Sequence, residues 1–240
     1  MQIVFGPVSS RRFGVSLGVD LSPAQKCCNF DCIYCELTAA KPVVAIENPP
    51  SVEQVIAEVK AALAAHPHVD VITLTANGEP TLYPDLVRLA HELNLIKGRA
   101  KTLILSNGSG VLDPQICEAL KGLDIVKFSL DSAAQKTFAR IDRSGEKIDI
   151  DELVGAMAKF RREFKGELVL EILVVKGLND TRAEFEALNA ALNQILPARV
   201  DISTIARPPA YPVKGVSREL LYELAQQISG VPCVIASAKY

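Results

Sequence analysis

The stretch SVEQVIAEVKAALAA (residues 51–65), followed after HPH by VDVITLT (69–75), sets a helix directly before a strand. In the first part Val52, Val55, Ile56, Val59 and Leu63 recur at helical spacing and fall on one face. Ser51, with Gln54 three residues on, has the form of a capping box, which places the helix start. The second part is rich in β-branched residues and reads as a buried strand. A helix that delivers the chain into a strand in this way is the repeating unit of a parallel sheet covered by helices.

Working outward, the alternation continues on both sides. Pro84 opens a helix with Leu86, Leu89, Ala90 and Leu93 on its inner face, and residues 101–106 form the next strand. Asp113 and Pro114 cap and begin a helix ahead of a strand over 124–130. Ile150, Leu153, Val154, Met157 and Phe160 predict a helix over 148–164, before an apolar strand over 167–175. A helix over 180–196 is stopped by Pro197, and 199–205 is the last clear strand; a helix from Ser217 and a short strand near Val231 close the chain.

With 15–21 as the first strand there are roughly six strand-then-helix units, too few for a complete eight-unit barrel. The expected fold is therefore α/β, a partial (β/α)6 TIM-like barrel whose parallel sheet carries outer helices, in a single domain spanning 1–240. Working residues in such sheets sit just past the carboxyl ends of the strands. The proline-rich segment 207–215 is expected to loop over that mouth.

Of the 240 residues, 49% are hydrophobic, ample for a core. The net charge of -2 gives no basic footprint for nucleic acid or an anionic membrane. No apolar run is long enough to span a bilayer, and the first residues lack the layout of a signal peptide. The cysteines are grouped, with Cys27, Cys28, Cys32 and Cys35 together and Cys117 and Cys233 far away. That grouping suits metal binding in the cytoplasm better than a disulfide framework.

CNFDCIYC (28–35) follows the first strand, where three thiolates of one short loop can converge on one metal centre. Iron in iron–sulfur clusters is held by thiolate, and a four-iron cube on three cysteines leaves one iron open, as catalysis requires. A structural zinc would need a fourth ligand nearby, and the next histidine, His66, lies far along a helix. Taking Cys27 in place of Cys28 gives the plant-type ferredoxin spacing, which also needs a fourth cysteine. Four cysteines in nine loop residues are improbable as mere packing, and Cys27 is read as a neighbour of the ligands.

The spacing of Cys28, Cys32 and Cys35, with Tyr34 before the last, resembles the radical S-adenosylmethionine (SAM) superfamily. The resemblance implies a [4Fe–4S] cluster and SAM as cofactors, a 5'-deoxyadenosyl radical that abstracts hydrogen from substrate, and a low-potential electron donor of flavodoxin or ferredoxin type. Asn77, Gly78, Glu79 and Pro80 look like the segment that receives the cofactor's methionyl ammonium, with Asn77 standing where the family has glycine. Ser106 and Asn107 after one strand, and Ser129 and Asp131 after the next, match places where the family contacts ribose or carboxylate, and each also suits a turn or cap. Tyr34 resembles the aromatic near adenine. Backbone at 174–177 and 203–206 would complete the adenine contacts.

Arg11 and Arg12 before the first strand, and Arg140, Arg143 and Arg207 in loops expected on the open face, could grip a substrate carboxylate or phosphate. Residues 6–35 together with 77–83 are similar to small Fe–S oxidoreductases related to the wyosine-forming tRNA enzymes. The chain has no second cysteine cluster and is slightly acidic, so a small-molecule or peptide substrate stands beside tRNA. The remaining readings are a glycyl-radical-enzyme activating enzyme and a non-catalytic iron–sulfur electron carrier.

Overall fold

A computed structural model describes residues 2–10 and 12–235. Eight strands form one sheet in chain order: β1 (Val4–Ser10), β2 (Gly14–Asp20), β3 (Val71–Thr75), β4 (Lys101–Ser106), β5 (Ile125–Ser129), β6 (Glu167–Val174), β7 (Arg199–Thr204) and β8 (Cys233–Ile235). From β2 to β8 every neighbouring pair is parallel, while β1 runs antiparallel to β2. The order begins at β1 and ends at β8, so the sheet is curled but not closed.

The helices are α1 (Val52–Ala65), α2 (Leu86–Ile96), α3 (Pro114–Lys121), α4 (Gln135–Ile141), α5 (Ile150–Glu163), α6 (Arg182–Ile195) and α7 (Arg218–Ala225). The six long parallel strands and their helices follow the sequence pattern. At α1 the capping box is complete: the Gln54 N–H donates to Ser51 Oγ at 3.2 Å and the Ser51 N–H donates to Gln54 Oε1 at 2.8 Å. Among the described residues no helix is long and apolar enough to cross a membrane.

Two elements were not expected. β1 contains Gly6 and Pro7, and its register with β2 shifts between Phe5 and Val8. An edge strand tolerates this because its outer side needs no ladder bonds. α4 is a two-turn helix with no side-chain cap, and it holds Arg140, which the sequence reading had put in a loop.

Strand residues alternate between two environments. Ile72, Leu74, Ile104, Val126, Phe128, Leu170 and Ile172 pack beneath the helices in the main core. The opposite face encloses the barrel interior. At its lower end Val71, Leu103, Ile125 and Val169 make a small apolar plug with Phe13 against it. One layer higher on the same face stand Lys127, Glu171 and Asp201. Lys127 Nζ lies 2.7 Å from Glu171 and 3.5 Å from Asp201, and Arg12 reaches the same two carboxylates at 2.8 and 3.2 Å.

Candidate functional site

Residues 21–50 run as a long loop after β2 and bring the cysteines over the carboxyl ends of the strands. Cys27 fastens this loop. Its N–H donates to the Asn77 carbonyl at 2.7 Å, and its carbonyl accepts from the Glu79 N–H at 2.9 Å. The two segments approach so closely that only glycine fits at 78, where φ is +140° and a Cβ would lie 1.8 Å from the Cys27 oxygen. The space that Gly78 leaves is taken by the Cys27 backbone.

Further ties fix the rest of the loop. Asp31 and Ile33 N–H groups donate to the carbonyls of Arg143 and Ile141, and the Ala210 N–H donates to the Cys35 carbonyl at 2.8 Å, so segment 207–215 does cover the loop. The Tyr211 hydroxyl donates to Asp31. The Phe30 N–H donates to Cys28 Sγ at 3.4 Å.

Cys28, Cys32 and Cys35 line a cavity of about 220 Å³, with Glu79, Ser106, Asn107 and Ser129 at the strand ends and Lys127 and Glu171 as its floor. Two larger clefts, of about 750 and 760 Å³, contain no cysteine. The first opens at the amino ends of the strands and the second lies outside the cysteine loop, so neither occupies the position where barrels of this kind work.

Glu79 is buried with its carboxylate fully engaged on the protein side. Oε1 accepts from the Thr81 N–H at 3.0 Å and hydroxyl at 2.6 Å, and Oε2 accepts from the Asn107 N–H at 2.7 Å. Burial pushes its carboxyl up, and these donors oppose the shift. Asn107 donates through Nδ2 to Asn29 Oδ1 at 2.7 Å, linking the end of β4 to the cysteine loop. Ser106 Oγ accepts from Gly108 in the turn that follows, and Pro80 opens a short 3-10 turn capped by Glu79.

Asp131, expected at a ribose or carboxylate contact, is engaged by protein groups. It is 1% exposed, Oδ2 accepts from the Tyr34 hydroxyl at 2.6 Å, and Oδ1 accepts from the Leu173 N–H at 2.7 Å. Each oxygen thus accepts from a protein group, and the residue anchors Tyr34 from behind. Burial pushes Asp131 up to about 7. Asp142, which the sequence reading passed over, is buried beside it. Its Oδ1 accepts from Cys32 Sγ at 3.6 Å, and burial followed by repulsion from Asp131 raises it.

The arginines are dispersed. Arg12, read as a possible substrate ligand before the first strand, lies at the amino end of the barrel and pairs there with Glu171 and Asp201. Arg11 lies outside the described residues. Arg143 sits 3.6 Å from Asp31 and 4.6 Å from the Tyr211 ring centre, and Arg207 pairs with Glu36 at 2.6 Å. Both therefore brace the cysteine loop. Arg140 lies on α4. Lys26, another residue the sequence reading missed, lines the cavity beside the thiols; its place immediately before the cysteines was the available signal.

The three thiols suit a multi-iron centre. A four-iron cube takes one thiolate at each of three separate corners, and here three cysteines of one loop line one cavity. Burial, then Glu79, pushes the Cys28 thiol up to about 12, and burial, then Asp142, raises Cys32. Such thiols give up their protons when metal binds.

An open α/β barrel with a three-cysteine loop at the carboxyl ends of its strands is an enzyme scaffold with its chemistry at that face. The Radical SAM superfamily model matches residues 23–188, and the chain belongs to that superfamily. The chain is 46% identical over 233 residues to a UPF0026 protein of Helicobacter pylori (strain ATCC 700392 / 26695), covering 97% of this chain and 75% of that one. In fold it is similar to a radical SAM methyltransferase from Sphaerobacter thermophilus (TM-score 0.71, 18% identity, 94% of this chain and 67% of that chain). It is also similar to TYW1 with a lysine-pyruvate adduct bound (TM-score 0.66, 17% identity, 90% and 74%). The protein is a radical SAM enzyme, and its cofactors are a [4Fe–4S] cluster and SAM.

Proposed function

We propose that Cys28, Cys32 and Cys35 hold three corners of the [4Fe–4S] cluster and that Glu79 receives the methionyl ammonium of SAM at the iron left without a protein ligand. The chemistry supplied there is one-electron cleavage of the cofactor's carbon–sulfur bond, giving methionine and a 5'-deoxyadenosyl radical that takes a hydrogen atom from substrate.

The chain's own residues set the stage. Cys27 and Gly78 lock the thiol loop to the Glu79 segment, so the ligands and the ammonium site keep one geometry. Asn107 ties Glu79 to Asn29, and the bonded oxygens of Glu79 retain lone pairs that can face a cation. Tyr34, fixed by Asp131, and Ser106 and Ser129 at the strand ends present the remaining polar contacts to the cofactor. Lys127 and Glu171, already paired, floor the space in which substrate sits.

In this reading 1–240 works as one catalytic unit of oxidoreductase or transferase type in the cytoplasm. It is fed by a low-potential flavodoxin- or ferredoxin-type donor and acts on a small molecule or a peptide. The observation that carries it is the meeting of three loop thiols and a buried glutamate in one cavity at the carboxyl ends of the strands. Anaerobically reconstituted protein given dithionite and SAM should release 5'-deoxyadenosine. A brown, iron-loaded protein that forms none would refute the assignment.

A further inference from the structure

Lys26 ends in an ammonium sealed from solvent with none of its donors in a hydrogen bond. Its ion pair among the described residues is with Asp31 Oδ1 at 3.7 Å, and that oxygen is equally sealed and unbonded. The two residues bracket the first ligand of the loop: Lys26 lies two positions before Cys28, and Asp31 lies between Cys28 and Cys32. Lys26 lines the same cavity as the three thiols.

The two charges are not equally committed. Asp31 is also held through its other oxygen by the Tyr211 hydroxyl and by Arg143 at 3.6 Å, so its negative charge is shared. Among the described residues Lys26 has no second ion-pair partner and keeps N–H donors unspent. Its ammonium lines the cavity of the ligand sulfurs, and Asp31 acts on that cavity through its ion pair with Lys26.

Building on the cluster assignment above, we infer that Lys26 and Asp31 set the reduction potential of the [4Fe–4S] centre in opposite directions. The reduced cluster carries one more negative charge than the oxidised one. A sealed ammonium in the cavity of the ligand sulfurs stabilises the more negative state and raises the potential, while the carboxylate paired with it offsets that charge and lowers the potential. Lys26 Nζ and Asp31 Oδ1 are both sealed from solvent, so the effect is weakly screened. Lys26 is a positioning and tuning residue in this scheme, with Asp31 as its counterweight.

The test is an EPR-monitored potentiometric titration of the anaerobically reconstituted full chain without SAM, with iron counted for each variant. Lys26→Met should shift the midpoint negative, leaving a smaller reduced fraction at any fixed potential. Asp31→Asn should shift it positive, and Lys26→Arg should stay near the wild type. Loaded Lys26→Met with an unmoved or more positive midpoint overturns the inference. If Lys26→Met fails to load, an unmoved Asp31→Asn midpoint overturns it instead. Wild-type protein that takes up no iron would defeat the cluster assignment itself, a result distinct from an iron-loaded protein whose potential ignores both residues.

Discussion

Cys27 and Gly78 face each other across two loops as paired backbone, with the glycine hydrogen where any side chain would collide with the cysteine carbonyl. The contact turns two otherwise separate loops into one platform. Gly78→Ala must part them, and the strained backbone alone should cost about 1–3 kcal/mol. We expect a lower Tm and less iron per chain than wild type; an unchanged Tm with full iron would show that the strap is dispensable.

The same pairing separates Cys27 from its neighbours by role. Cys27→Ala removes a buried thiol but leaves the backbone bonds to Asn77 and Glu79, so reconstituted protein should stay brown with wild-type iron. Cys32→Ala should lose the brown absorption. The reverse pattern would move the ligand set by one residue.

Glu79 is tied to three donors on Thr81 and Asn107. Glu79→Gln keeps the shape, removes the charge and sets an amide N–H against one or more of those donors, at a cost of about 1–3 kcal/mol. Titrated by calorimetry, SAM should bind at least about tenfold more weakly, the equivalent of roughly 1.4 kcal/mol, with iron content near normal. Wild-type affinity in this variant would remove Glu79 from the cofactor site.

The charged floor predicts how stability follows pH. Burial alone would push Glu171 up, but Lys127 and Arg12 outweigh it and hold its carboxyl below the ordinary value of 4.5. A carboxylate depressed on folding stabilises the protein above its unfolded pKa, and that contribution is lost as pH falls through the folded one. Glu171→Gln should therefore lower Tm at pH 7 and show a shallower decline than wild type below about pH 4.5. Lys127→Met, which strips a buried ammonium from two carboxylates, should cost about 3–5 kcal/mol in denaturant unfolding at pH 7. Parallel wild-type and Glu171→Gln acid profiles would contradict the linkage.

The fold was legible where local signals agreed with tertiary ones. The Ser51 box, the face of α1 and the β-branched run of β3 each point to the same unit, and repeating that unit yields the parallel sheet. β1 was hidden because Gly6 and Pro7 look like a turn, and only pairing with β2 makes the segment a strand. The thiol trio was legible because three cysteines in eight residues have few other uses. The roles of Asp131 and Arg12 were not, since a carboxylate or guanidinium in sequence does not say which partner folding will bring. Asp131 meets Tyr34 from 97 positions away and Arg12 meets Asp201 from 189. Asp142 escaped for the same reason: its burial arises from packing that no short window contains.

The stopper formed by Phe13, the apolar plug above it and the Arg12 ion pairs makes the interior a vessel with a bottom. In the proposed reaction, a carbon radical formed near the rim has the ion pairs of Lys127 and Arg12 beneath it and then the apolar plug. On that assignment the door for substrate and for the spent nucleoside is the rim where segment 207–215 meets the cysteine loop.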